Sequence, residues 1–275
     1  MIIYKELGRT KEKIPAIGLG TYGLGGYSFT DKSSDKEAIE LIRFAVEHGM
    51  NFIDTAEMYG AGHSEELVGE AIKGLREKVF IATKVSPSHF RYDDVIRSCD
   101  ASLKRLKTSY IDLYQLHWPN PSVPIQETMK AMEFLAKDGK IRYIGVSNFS
   151  VEETIEAQKV LSKYELVSNQ VEYSVLEREI EKELLGYCEK AKISVIAYSP
   201  LARGAIFRGK TSNVLAKIAE KHDATIAQVA LAWLIRNPIV FAIPKTSKKE
   251  RVLEFIGSYE INLDLKDLAL IDSLV

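Results

Sequence analysis

With 275 residues, the chain is long for an ordinary domain but normal for one α/β barrel. Its 37 Lys and Arg offset 38 Asp and Glu to a net charge of −1, which gives no electrostatic footprint for nucleic acid. A hydrophobic content of 46% allows a sizeable core, yet no stretch approaches the ~18 apolar residues of a membrane span, and the start Met1-Ile2-Ile3-Tyr4-Lys5-Glu6 lacks the apolar region and cleavage site of a signal peptide.

In chain order, residues 1–15 read as a short hairpin with Gly8-Arg9 near its turn, suited to plugging one end of a barrel. Eight apolar runs follow, beginning near residues 16, 51, 79, 110, 141, 166, 193 and 239. Helical periodicity fills the intervals, as in Ala38, Leu41, Ile42, Ala45 and Val46, in Val95, Ile96, Cys99, Leu103 and Leu106, and in Ile125, Met129, Met132 and Leu135. Capping boxes at Ser34 with Glu37, Ser150 with Glu153, Thr225 with Gln228 and Ser247 with Glu250 predict helix starts. Pro124 suits a first helical position, and Gly49 and Gly139 suit left-handed helix stops. The seventh-to-eighth interval holds two helical patterns, near 212–222 and 226–236, so one helix is extra. The tail from Asp264 to Leu274 reads as a last, outer helix.

Strands alternating with helices predict parallel pairing with right-handed crossovers, and near-continuous apolar runs imply that both sheet faces are covered. The expected fold is an α/β (β/α)8 TIM barrel, as one domain over residues 1–275, with a short N-terminal hairpin and extra C-terminal helices. Gly18-Leu19-Gly20-Thr21-Tyr22-Gly23 matches a dinucleotide fingerprint, but Leu24-Gly25-Gly26-Tyr27 cannot open a helix and Asp54 follows 31 residues after Gly23, too far for the ribose-binding acid. The glycines are expected to let a turn pass close to a ligand or another loop. Cys99 and Cys188, far apart in helix-like stretches, read as reduced thiols of a cytoplasmic protein and cannot build a metal site alone, so no metal is expected.

Three strand runs end in residues foreign to a core. Asn51-Phe52-Ile53 leads into Asp54, Val79 to Thr83 into Lys84, and Tyr110 to Leu116 into His117. As parallel neighbours about 4.8 Å apart, such strands bring an acid, an ammonium and an imidazole to the C-terminal rim, where barrels of this type carry their active sites. Tyr59 lies five residues past Asp54, in the loop that would roof it. Singly, each residue has an ordinary structural explanation; together they suit proton transfer. A nearby Lys84 ammonium should lower the Tyr59 pKa from its usual ~10, Asp54 should keep Lys84 charged, and His117 can orient a carbonyl oxygen.

On these residues, the chain resembles the aldo-keto reductase family over nearly its full length. NFIDTAEMYG (Asn51 to Gly60), ATKV (Ala82 to Val85), LKRLKTSYIDLYQLHWP (Leu103 to Pro119), GVSNF (Gly145 to Phe149), AYSPLARG (Ala197 to Gly204) and IPKTSKKER (Ile243 to Arg251) are similar to family blocks in order and spacing. The resemblance implies a catalytic tetrad of Asp54, Tyr59, Lys84 and His117, a hydride from NADPH with NADH weaker, and Tyr59 as general acid in reducing an aldehyde or ketone. It implies nicotinamide carboxamide contacts from Ser147, Asn148 and Gln170, and stacking by Tyr198. Gly20, Thr21 and Asp54 fall on the cofactor side, with Thr21 at the nicotinamide ribose. Ser199, Pro200 and Leu201 resemble pyrophosphate contacts, with Gly204 and Lys210 as further candidates. Lys245, Thr246, Ser247 and Arg251 resemble the grip on the adenosine 2′-phosphate, where a Ser247-capped helix start would also attract the anion. Glu254 resembles an adenine contact, and Phe255 stands where many relatives have Asn.

Tyr22, Tyr27, Trp118 and Phe149 are the expected apolar wall of the substrate pocket. With the chain stopping at Val275, soon after its last helix, a relatively open pocket is expected. The expected partner is a small aldehyde or ketone, with no nucleic acid, membrane or metal. Two alternatives stay open at this point: the Asn51 to Gly60 block also resembles potassium-channel β subunits, cofactor-binding regulators on this barrel, and a rim lysine can serve a Schiff-base aldolase.

Overall fold

The computed structural model describes residues 1–274. Strands β1 (Tyr4–Glu6) and β2 (Lys13–Pro15) pair antiparallel as the predicted hairpin. Among the described residues, eight further strands pair in parallel and in sequence order: β3 (Leu19–Gly20), β4 (Phe52–Asp54), β5 (Phe80–Val85), β6 (Ile111–Leu116), β7 (Ile141–Ser147), β8 (Leu166–Glu172), β9 (Ser194–Tyr198) and β10 (Val240–Ala242). The sheet curls until its ends meet, with parallel bridges from Ile17 to Ala242 and from Gly20 to Lys245. Gly20 is needed at this seam, because a Cβ there would lie 2.9 Å from the Ile243 carbonyl oxygen. The turn after β3 opens no helix, so the glycine-rich match is not a dinucleotide motif of the Rossmann kind.

Helices α1 (Asp35–Glu47), α2 (His63–Ala71), α3 (Tyr92–Leu106), α4 (Ile125–Lys137), α5 (Val151–Val160) and α6 (Leu184–Ala191) each connect successive strands from β3 to β9. Two helices, α7 (Gly209–Lys221) and α8 (Ile226–Ile235), fill the interval before β10, and α9 (Lys249–Gly257) and α10 (Leu265–Asp272) end the chain. The predicted stripes face the core: Ala38, Leu41, Ile42, Ala45 and Val46 of α1 are buried, and Ile96, Leu103 and Ile125 are half-buried against it. The extra α7 is tied to α10, where Lys221 donates to Asp264 and Asp267. Cys99 and Cys188 are free and buried, and burial pushes both thiols up to about 12. Among the described residues, no helix is long and apolar enough to cross a membrane.

Alternation within the strands sorts residues into two cores. Phe52, Phe80, Ala82, Leu113, Val167, Ile196, Phe241 and Ile243 form an inner floor, and Leu7 and Ile14 of the hairpin pack into it. The hairpin is therefore the plug expected at one end. One step further along the same faces stand Asp54 after Phe52, Lys84 after Ala82, and His117 two alternations after Leu113, so the polar residues form the layer above the floor.

Two of the four predicted capping boxes form. Ser150 with Glu153 and Thr225 with Gln228 satisfy each other's backbone N–H groups. Ser34 is at an N-cap position, but its ψ of 28° is not the extended backbone that aims a cap hydroxyl into the first turn, and it makes no such bond. Ser247 does not cap α9: the helix starts at Lys249, because the Thr246 hydroxyl accepts the Lys248 N–H at 3.0 Å and delays the first turn. Pro124 is the N-cap of α4, one position earlier than predicted.

This difference is measurable. In the cofactor-free protein, Thr225→Ala should cost about 1 kcal/mol in urea unfolding. Ser247→Ala should stay within about 0.5 kcal/mol of the parent.

Candidate active site

Strands β4, β5 and β6 are adjacent and parallel, with Asp54 opposite Ala82 and Lys84 opposite Gln115. Lys84 is fully buried, and its ammonium is surrounded by acceptors: Asp54 Oδ1 at 2.6 Å, the Thr55 carbonyl oxygen at 2.8 Å and the Tyr59 hydroxyl at 3.2 Å. Burial alone would lower the Lys84 pKa, but Asp54 and then Tyr59 outweigh it, and the pKa is raised. Asp54 has a second donor, Gln170 Nε2, at 2.7 Å from Oδ2.

Tyr59 begins a tight turn in which Gly60, Ala61 and Gly62 have φ of 58°, 55° and 93°. The turn is held from outside: the Gly60 N–H donates to the Tyr27 carbonyl at 2.7 Å, and the Thr30 hydroxyl donates to the Gly60 carbonyl at 3.0 Å. A Cβ at Gly60 would meet the Gly25 carbonyl oxygen at 2.3 Å, so this contact requires glycine. Burial raises the Tyr59 pKa and Lys84 lowers it; burial wins, so the phenol lies above its ordinary value. Lys84 does act in the expected direction, but the expectation that it brings Tyr59 below its ordinary value is corrected: it offsets only part of the desolvation.

His117 follows β6, and its ring is 5.7 Å from Tyr59, centroid to centroid. Burial, reinforced by the Lys84 charge, lowers its pKa to about 3, so the imidazole is neutral at pH 7. Tyr22 meets Tyr59 edge-on at 5.1 Å and Tyr27 at 5.2 Å, and Trp118 lies 4.7 Å from His117. Tyr22, Tyr27 and Trp118 are 54%, 59% and 41% exposed, which makes the mouth aromatic and open. Phe149 does not join them. It is 3% exposed in the outer core, where Asn169 donates to its carbonyl, so the expected fourth wall residue is structural.

The other predicted positions fall around the same rim with different degrees of freedom. Asn148, at φ 60°, donates to the His117 carbonyl and to Ser147 Oγ, both at 3.1 Å, and accepts the Tyr198 hydroxyl at 2.9 Å. Thr21 is fully buried, its hydroxyl is engaged with the Asp54 carbonyl and Ser64, and its backbone N–H and carbonyl bond to the Asp54 carbonyl and the Leu24 N–H, both at 2.9 Å. Ser199, Pro200, Leu201 and Gly204 form a turn in which Ser199 and Gly204 have φ of 49° and 87°. Lys210 is pulled away from it, donating to the Ser273 carbonyl at 3.0 Å. Past β10, Lys245 is exposed without an ion pair among the described residues, and Thr246 is buried. Arg251 is paired with Glu254, which also accepts the Thr225 hydroxyl at 2.7 Å. Phe255 is buried in the outer core.

Two neighbours of the rim escape sequence reasoning, the Thr55 carbonyl and Glu57, because backbone acceptors and a loop carboxylate carry no pattern of their own. The only signal for Glu57 is its position in the block between Asp54 and Tyr59.

The family model described as "Aldo/keto reductase family" matches residues 16–275. The chain belongs to the aldo/keto reductase family. It is 41% identical over 261 residues to methylglyoxal reductase YeaE of Escherichia coli, covering 94% of this chain and 90% of that protein. The thermostable aldo-keto reductase Tm1743, solved with the inhibitor epalrestat, superposes with a TM-score of 0.96 at 48% identity, covering all of both chains. An aldo-keto reductase from Klebsiella pneumoniae, solved with NADPH, superposes with a TM-score of 0.92 at 37% identity, covering all of this chain and 95% of that one. The barrel thus carries the rim of an aldo/keto reductase, an oxidoreductase class.

The neutral His117 has a consequence for stability. Its pKa is about 3 folded against an ordinary 6.5, so between these values the unfolded chain binds more protons. Stability should fall as pH drops through that window. His117→Gln should flatten the decline in urea midpoint between about pH 6.5 and about pH 4; an unchanged slope would mean His117 is not the group responsible.

Proposed function

We propose that this protein reduces small aldehydes, α-oxoaldehydes included, and ketones to alcohols with NADPH, with Tyr59 as the proton donor. The observation that carries this is the Tyr59 hydroxyl 3.2 Å from a buried Lys84 ammonium that Asp54 holds at 2.6 Å. The relative named methylglyoxal reductase and the NADPH-bound neighbour support the substrate class and the cofactor.

The residues present fit the cofactor. Ser147, Asn148 and Gln170, at the ends of β7 and β8, offer amide and hydroxyl groups to a carboxamide, and the Tyr198 ring lies beside Asn148. The left-handed turn at Ser199 to Gly204 suits a pyrophosphate, with backbone at φ values that non-glycine residues adopt where a ligand needs them. Lys245 and Arg251, with Thr246 and Ser247, would take the 2′-phosphate. Lys210 is left out of this set, because Ser273 occupies it. A nicotinamide bound there supplies the hydride.

Tyr59 is protonated at neutral pH, as an ordinary phenol is, and burial reinforces this by raising its pKa. It can therefore donate to a carbonyl oxygen as negative charge develops, and Lys84 then stabilises the phenolate left behind. Neutral His117 can donate a hydrogen bond to the same oxygen without competing as an acid. Tyr22, Tyr27 and Trp118 offer aromatic surface to a small substrate. Lys84 is a poor candidate for a Schiff-base nucleophile: its pKa is raised and all three ammonium protons face acceptors.

NADPH oxidation with methylglyoxal as substrate tests the acid. Tyr59→Phe should lower kcat by about 10²- to 10⁴-fold with NADPH binding retained; undiminished turnover would remove Tyr59 from the mechanism. Arg251→Ala should weaken NADPH by about 10- to 100-fold in a fluorescence titration, the worth of a charged hydrogen bond. NADH binding should change far less, and equal losses would mean that Arg251 does not read the 2′-phosphate.

A further inference from the structure

Glu57 stands between the two halves of the proton donor. Its own N–H donates to the Lys84 carbonyl at 3.3 Å. Its side chain returns to the same strand, where Oε1 accepts the backbone N–H of Ser86 at 2.6 Å. These two bonds straddle residue 85. They join the segment that carries Tyr59, two residues after Glu57, to the strand end that carries Lys84, two residues before Ser86.

The carboxylate is 9% exposed and has further support. His89 Nδ1 lies 2.9 Å from Oε1, and the Arg105 guanidinium 4.0 Å from Oε2. Arg105 is itself fixed by the fully buried Glu65 at 2.6 Å and by Ser102 at 3.1 Å. The clasp is thus anchored in α2 and α3, behind the rim. On the other side of Tyr59, Gly60, Ala61 and Gly62 form a left-handed run that includes a non-glycine residue. Such backbone persists only when its surroundings over-determine it. Of the contacts around Lys84, the one to the Tyr59 hydroxyl is the longest, at 3.2 Å against 2.6 and 2.8 Å. It is the contact that depends on where the loop is held.

We infer that Glu57 is a positioning residue: its carboxylate clasps the Tyr59 segment to the Lys84 strand and sets the distance over which the ammonium acts on the phenol. This rests on Tyr59 being the proton donor. A glutamine at 57 keeps an oxygen for the Ser86 N–H, whereas alanine removes it. The same bond can be cut from its other end. Ser86 has φ of −64°, the angle proline imposes, and follows an extended strand, so Ser86→Pro deletes the N–H at a compatible backbone angle. It also removes the Ser86 hydroxyl, which accepts the Ser88 N–H at 3.4 Å, so Ser86→Ala, which loses that hydroxyl but keeps the N–H, is the control and should keep the parent's kcat.

The test measures kcat with methylglyoxal and NADPH affinity by fluorescence, below the melting transition of every variant. Glu57→Ala and Ser86→Pro should each lower kcat by about 10- to 100-fold, the scale of a displaced catalytic group. NADPH affinity should stay within about twofold, the double variant should be no worse than the poorer single one, and Glu57→Gln should recover to within about threefold of the parent. In a Tyr59→Phe background, Glu57→Ala should add nothing. A normal kcat in Ser86→Pro or Glu57→Ala, additive losses, or a loss carried by NADPH affinity would overturn the clasp. If Glu57→Ala does not fold, Ser86→Pro and Glu57→Gln decide the question alone. Tyr59→Phe separates the two ideas: an inactive Tyr59→Phe beside a fully active Glu57→Ala ends only the clasp, and an active Tyr59→Phe ends both.

Discussion

A fully buried lysine ammonium sets the terms for this barrel. An unpaired ammonium in the interior would cost many kcal/mol, so Lys84 needs an acceptor for each of its protons. All three come from one stretch of chain, Asp54, Thr55 and Tyr59. That stretch must lie beside β5, and only the parallel pairing of β4 with β5 in the observed register brings it there. A slip of one residue would turn Lys84 out of the barrel and Phe80 and Ala82 with it. Asp54, in turn, takes its second hydrogen bond from Gln170 on β8, four strands away. That bond crosses the interior, so it requires a closed barrel. Register, closure and the chemistry of the rim are one constraint seen at three scales.

The two ends of the barrel meet opposite demands. The floor is dry and packed: Leu7 and Ile14 seal it, and Lys5 fastens the hairpin by donating to the carbonyls of Ile235, Asn237 and Val240 at 2.6 to 2.7 Å. Those carbonyls lie at the end of α8, in the turn after it and at the start of β10, so the first residues of the chain lock onto late elements. The rim keeps its polar groups in the upper layer and leaves an exposed aromatic mouth. A hydrophobic floor beneath a polar layer also explains why alternation along a strand can switch from Phe52 to Asp54, or from Ala82 to Lys84, without breaking the sheet.

The elements were legible because helix and sheet faces obey simple periods, and those periods are written in the sequence. Asp54, Lys84 and His117 were legible for the same reason, being polar at positions where the strand pattern asks for an apolar residue. What the sequence concealed depends on where loops go. Ser247 and Ser34 match a capping pattern, but backbone angles decide whether a hydroxyl reaches the first turn, and at Ser247 the neighbouring Thr246 takes over. Phe149 follows the end of β7 as a wall residue would, yet its side chain turns outward to the helices. Lys210 has the right charge in the first turn of α7, after the loop that follows β9, and is captured by the Ser273 carbonyl just past α10. The direction of the Tyr59 shift was concealed because it is a contest between burial and a neighbouring charge, and only coordinates supply both.

Strained backbone is distributed in the same way. Lys107, Lys192 and Asp223 have positive φ, but each lies at or just past the end of a helix, where a left-handed stop satisfies the last carbonyls. Ala61, Asn148, Ser199, Ala202 and Arg203 also have positive φ and lie in loops that follow β4, β7 and β9 on the rim that carries Lys84. Each such non-glycine residue costs of order 1–3 kcal/mol. A chain selected for stability alone would replace them with glycine or relax the loops. Their concentration at one end means that the rim is held in shape by the rest of the fold: Tyr27 and Thr30 hold the turn after Tyr59, and Tyr198 holds Asn148. The barrel is stable enough below to keep its upper loops in conformations that they would not adopt by themselves, and the side chains gathered there owe their distances to that support.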